Sequence, residues 1–118
     1  MRAVVVDDFT TPEALRVRET DAPSLAENEV RIEVRAAGCN FSDVLMLKGE
    51  YQVKPSFPFI PGGEVGGIIC EIGSGVSQFE VGDRVLSRCA LGGFAEQVAS
   101  PESSTYRLPD AISFEAGA

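Results

Sequence analysis

The sequence predicts a mainly β domain, a barrel or sandwich of short strands with one or two short helices. Two observations carry that prediction. Short β-branched or alternating apolar/polar runs recur along the chain. Between them, 12 glycines and 7 prolines among 118 residues supply many turns and are too many for a helical bundle. The length is that of one domain and is enough to bury a core.

Residues 1–6 are Val-rich and read as a strand. Residues 15–18 alternate Leu15, Arg16, Val17 and Arg18, which suits a half-exposed strand. Residues 30–36 give the cleanest alternation, with Val30, Ile32, Val34 and Ala36 expected to face inward. Residues 42–48 suit a short helix stopped by Gly49. Residues 49–63 hold Pro55, Pro58, Pro61, Gly62 and Gly63, a long loop of the kind that is functional or lies against a partner. Residues 65–72 read as a buried strand in which Gly66 and Gly67 admit close backbone approach. Turns follow at 73–75 and 81–85, then strands over 84–87, 94–99 and 105–108. Ser113 is placed to cap a helix opening at Phe114, with only about one turn of sequence left. The expectation is one domain of a longer polypeptide.

Composition narrows the function. Apolar residues are 44% and charged residues 24%, ordinary for a folded chain. Ten basic against eighteen acidic residues give 10 − 18 = −8, which argues against nucleic acid and against an anionic membrane surface as partners. The absence of histidine removes the commonest metal ligand and general base. Cys39, Cys70 and Cys89 lie too far apart for a zinc finger and are odd in number, so they read as free thiols. The N-terminus lacks a signal-peptide core, and a cytoplasmic location is expected. Gly73-Ser74-Gly75 has the opening of a dinucleotide fingerprint, but position 78 is Gln and the Gly82-Asp83 turn leaves no room for the helix. Gly62-Gly63 with Gly66-Gly67 lacks the Lys-Ser/Thr of a phosphate-binding loop.

A series of motifs in order then resembles the medium-chain dehydrogenase/reductase superfamily. They are Gly38-Cys39-Asn40-Phe41-Ser42-Asp43, Pro61-Gly62-Gly63-Glu64-Val65-Gly66-Gly67, Gly73-Ser74-Gly75-Val76 and Phe79-Glu80-Val81-Gly82-Asp83-Arg84-Val85. Gly92-Gly93-Phe94-Ala95-Glu96 and Leu108-Pro109-Asp110 continue the series, so it covers nearly the whole chain. The resemblance implies a GroES-like, partly open β-barrel over residues 1–118, the substrate-side domain of a parent whose dinucleotide-binding domain follows. Zinc-dependent members carry a Cys three places before the motif Asp. Here Asp43 fixes that place as Asn40, with Cys39 one off. Their Gly-His-Glu is here Gly62-Gly63-Glu64, and the four-Cys lobe after Arg88 is reduced to Cys89. The resemblance therefore implies no zinc. With Lys48-Gly49-Glu50-Tyr51, the pattern is similar to the NADPH:quinone oxidoreductase (zeta-crystallin-like) branch. Related branches are the enoyl reductase modules of fatty-acid and polyketide synthases and the vesicle amine transport protein 1 group.

Without a Lewis acid, the sensible substrate is already electrophilic: a quinone or an enone taking hydride from NADPH. Asn40 is the candidate for orienting a nicotinamide, ribose or substrate oxygen, since its amide both donates and accepts. Tyr51 is the candidate donor to the substrate oxygen. Phe41 and Asp43 join Asn40 on the cofactor side, and Asp43 also suits a helix cap. Tyr51, Phe57 and Phe59 are the expected walls of the substrate cleft, with Glu64 behind them. The resemblance also implies a homodimer at full length and an isolated chain without turnover. The alternative function is an enoyl reductase module, or a non-catalytic NADPH- or partner-binding member.

Overall fold

A computed structural model describes residues 1–118. The two longest strands are the two richest in β-branched residues. These are β3 (Glu29–Ala37) and β4 (Glu64–Ile72), after the short β1 (Arg2–Val4) and β2 (Val17–Glu19). They are followed by β5 (Arg84–Arg88), β6 (Gln97–Pro101) and β7 (Thr105–Arg107). β1 and β2 form a ribbon of their own, while the other five make an antiparallel sheet in the order β6-β3-β4-β5-β7. The main core lies against this sheet: Val30, Ile32, Val65, Ile69, Phe79, Val85 and Val98 are buried together. A smaller cluster of Val6, Met46, Leu47 and Phe59 lies apart from it. No helix is long and apolar enough to cross a membrane.

The β3 alternation holds at Val30 and Ile32, both fully buried, and then shifts. A bulge between Val34 and Ala36 brings Ala37, in place of the expected Ala36, against the core. The glycines opposite explain the close packing. A Cβ on Gly67 would lie 2.2 Å from the Glu33 carbonyl oxygen, and one on Gly66 would lie 2.7 Å from that of Phe114. Phe114 opens α2 (Phe114–Gly117), where the Ser113 hydroxyl accepts the Ala116 N–H at 3.1 Å, as a capping serine does. Arg84 holds this segment down. Its guanidinium donates to the carbonyls of Pro109 and Ile112 at 2.7 and 2.8 Å and sits 4.4 Å from the Phe114 ring centre.

The chain ends of the sheet differ from the sequence reading. The first strand covers only Arg2–Val4, and Val6 joins by an isolated bridge to Phe59. The second begins at Val17, because the Leu15 N–H closes a 3-10 turn over Pro12–Ala14. Val17 is 64% exposed, so this strand has no buried face. Likewise β6 starts after Phe94 and Glu96, whose backbones are occupied by Val4 and Arg2.

The two outer strands, β6 and β7, share no ladder, yet the sheet curls until they meet. Buried Ser87 on β5 hydrogen-bonds both Ser100 on β6 (2.7 Å) and Thr105 on β7 (2.9 Å). Thr105 is already the ladder partner of Ser87, so the Ser87–Ser100 bond, with the Thr105 hydroxyl donating to the Pro101 carbonyl at 2.9 Å, is what draws β6 toward β5 and β7 in a partly open barrel.

Candidate active-site cleft

The cleft is built at the N-terminus of α1 (Phe41–Lys48), a helix fixed at both ends. Asn40 is the extended N-cap, and the carboxylate of Asp43 reaches back to accept the Asn40 backbone N–H at 2.8 Å. At the other end Gly49 takes a left-handed φ of 73°, and its N–H bonds the Met46 carbonyl. Asp43 is thereby buried under the turn that presents Asn40.

The Asn40 side chain is held in turn. Its Nδ2 donates to Glu64 Oε1 at 3.0 Å. A carboxylate only accepts, so the amide can point just one way, leaving one N–H and a lone pair of Oδ1, which also faces the Asp43 backbone N–H in the capping box, for a ligand. Glu64 opens β4, and the Gly38 N–H bonds its carbonyl at 3.0 Å. A Cβ on Gly38 would stand 2.5 Å from Glu64 Oε1 and 2.8 Å from its Cγ, so a larger residue there would displace this carboxylate from its place beside Asn40.

The facing wall comes from the end of β5 and the turn after it. The Leu91 N–H bonds the Cys89 carbonyl at 2.8 Å across Ala90, whose φ is 67°. That is a γ-turn of the strained kind, on a residue with a Cβ. Cys89 turns its thiol toward the Gly62 carbonyl at 3.5 Å. Burial pushes this thiol up to about 11, with Asp43 and Glu64 adding to the effect against a backbone hydrogen bond. Gly63 lies on the floor. A Cβ there would only touch the Ala90 carbonyl oxygen at 3.6 Å, so sterics do not demand glycine.

The cleft has a volume of about 540 Å³. Asn40, Asp43 and Tyr51 all line it, so three of the expected site residues are brought together. The expected aromatic walls are corrected. Phe59 is drawn inward by its bridge to Val6 and is 7% exposed in the smaller core cluster. Phe57 packs edge-on against Phe9, with ring centres 5.0 Å apart, and neither Phe57 nor Phe59 lines this cleft. Phe41 is 74% exposed and outside the lining. The apolar lining comes instead from Met46, Val53 and Leu91, and Arg88 and Tyr106 complete the wall. Met46 follows Asp43 at helical spacing, a signal the sequence did contain. Arg88 and Tyr106 depend on pairings, Glu64 with Arg88 and Leu86 with Tyr106, that no local pattern announces.

The geometry can be set beside known proteins. Residues 26–110 match the family described as the alcohol dehydrogenase GroES-like domain. Rat quinone oxidoreductase is 39% identical over 120 residues, covering 100% of this chain and 36% of the rat protein. The crystal structure of Escherichia coli quinone oxidoreductase complexed with NADPH superposes with a TM-score of 0.93 at 35% identity, covering 99% of this chain and 36% of that one. Human synaptic vesicle membrane protein VAT-1 homolog-like protein gives a TM-score of 0.93 at 36% identity, over 99% and 38%. The chain thus spans about a third of the length of the curated relatives it matches.

Proposed function

The chain belongs to the alcohol dehydrogenase GroES-like domain family, and on that premise we propose that it is the substrate-side domain of a zinc-independent oxidoreductase passing hydride from NADPH to a quinone or an α,β-unsaturated carbonyl. The observation that carries this reading is the convergence of Asn40, Asp43 and Tyr51 on one cleft, with the Asn40 amide pinned by Glu64. A cleft of about 540 Å³ is in the range that takes a small ring system. The remaining lone pair and the remaining N–H of the Asn40 amide match the paired needs of a carboxamide or a ribose hydroxyl. Bound NADPH would supply the hydride.

The chain's own residues then have separable tasks. Asp43 fixes the helix turn, Glu64 fixes the amide, and Asn40 orients the ligand. Met46 and Leu91 supply apolar wall beside it. Tyr51 offers a phenol hydrogen to the substrate oxygen as negative charge builds there, a contact worth most in a dry site. The donor set does not suit zinc. Position 40 is an amide already bound to Glu64, position 63 has no side chain, and Cys89 is held as a neutral thiol facing Gly62.

The test is steady-state quinone reduction by the parent protein, with its downstream domain, carrying Tyr51→Phe or Asn40→Ala. Tyr51→Phe should lower kcat about a hundredfold. Asn40→Ala should raise KM by about tenfold or more. Unchanged kinetics in both would remove the site. Intact NADPH binding without turnover in the unmodified parent would favour the non-catalytic alternative.

A further inference from the structure

Seven of the eight arginines are committed. Arg2, Arg18, Arg31, Arg35, Arg84 and Arg107 each have an ion pair, and Arg16 donates to the carbonyls of Glu13 and Leu15. Arg88 has neither an ion pair nor a side-chain hydrogen bond, although it stands directly across the ladder from Glu64. It is also the only cation in the lining of the cleft. The two carboxylates that share the cleft are occupied elsewhere. Asp43 caps the Asn40 N–H, and Glu64 takes the Asn40 amide.

A guanidinium presents a planar fork of donors that fits a carboxylate or a phosphate, and such charge-assisted pairs are the strong ones. In a chain of net charge −8, an anion reaching this cleft meets one uncommitted guanidinium. Resting on the functional reading above, we propose that Arg88 receives an anionic oxygen group of the ligand in the cleft. That group is a carboxylate on the quinone or enone substrate, or a phosphate of the dinucleotide. The site would then select acidic substrates, or it would bind the cofactor from the substrate-side domain.

The test is calorimetric titration of the parent protein, with its downstream domain, with three probes: a fully substituted benzoquinone ending in a carboxylate, its methyl ester, and NADPH. Full substitution leaves no ring position for addition of the exposed Cys39 thiol. The proteins are the unmodified parent, Arg88→Gln and Arg88→Lys. The acid should bind about tenfold more tightly than the ester. Arg88→Gln should bring the acid down to the ester's affinity, and Arg88→Lys should keep part of the difference. That outcome, with NADPH affinity unmoved, places the anion on the substrate. Loss of NADPH affinity with no change for the acid places it on the cofactor. Equal binding of acid and ester, with NADPH indifferent to Arg88→Gln, overturns the assignment of Arg88 while leaving the cleft reading intact. Failure of all three probes to bind overturns both.

Discussion

In the curled sheet, five of the seven buried core side chains, all β-branched, lie on β3, β4 and β5, the strands that pair on both sides. Around α1, only four are buried, drawn from the N-terminal segment, the helix and the long loop, and no ladder binds them. The cleft stands on the border. Glu64 and Arg88 come from the laddered side, while Asn40, Met46 and Tyr51 come from the lobe. The rigid half thus supplies the carboxylate that aims the amide, and the softer half supplies the amide and the phenol.

The sharpest test of this contrast is truncation in each core. Ile32→Ala should cost about 4 kcal/mol, because its neighbours are fixed by ladders and cannot collapse into the gap. Leu47→Ala should cost about 2 kcal/mol, because loop segments can close in. Urea denaturation of both variants measures the difference, and equal losses would erase the distinction. A smaller effect belongs to pH. The Cys89 thiol is raised to about 11, so folding favours its neutral form. Its contribution is complete below the ordinary thiol pKa near 9 and is lost as pH climbs through about 11. The unmodified chain should lose up to about 2–3 kcal/mol more than Cys89→Ala between pH 8 and 11.5. Parallel stability curves would show that the cleft wall is wetter than its geometry implies. Smallest is the strained turn between sheet and lobe. Ala90→Gly should gain about 0.5–1 kcal/mol by removing the Cβ at a left-handed φ. A loss in thermal unfolding would mean that the methyl group contributes more by packing than it costs in strain.

What was legible in the sequence follows the same division. The β3 and β4 strands, the Ser113 cap and the Gly49 stop are local features, and each falls where side-chain period or turn chemistry puts it. Asn40, Asp43 and Tyr51 were singled out by the family resemblance, and they lie together because they stand at the cap of, on and just after one short helix. Phe57 and Phe59 were misplaced because an aromatic in a proline-rich loop has no period to say which way it points. The Val6 bridge decides it. Ala36 was misplaced by one bulge, since alternation assumes an unbroken ladder. Arg88 was invisible as a cleft residue, because its place depends on lying across from Glu64, twenty-four residues earlier in the chain.

The hydroxyl line of Ser87, Ser100 and Thr105 has a mechanical meaning. Ser87 and Thr105 are already ladder partners, so the one side-chain hydrogen bond tying β5 to β6 is Ser87 to Ser100, worth about 1 kcal/mol. That contact is a latch and not a seam, and opening it would leave every ladder intact.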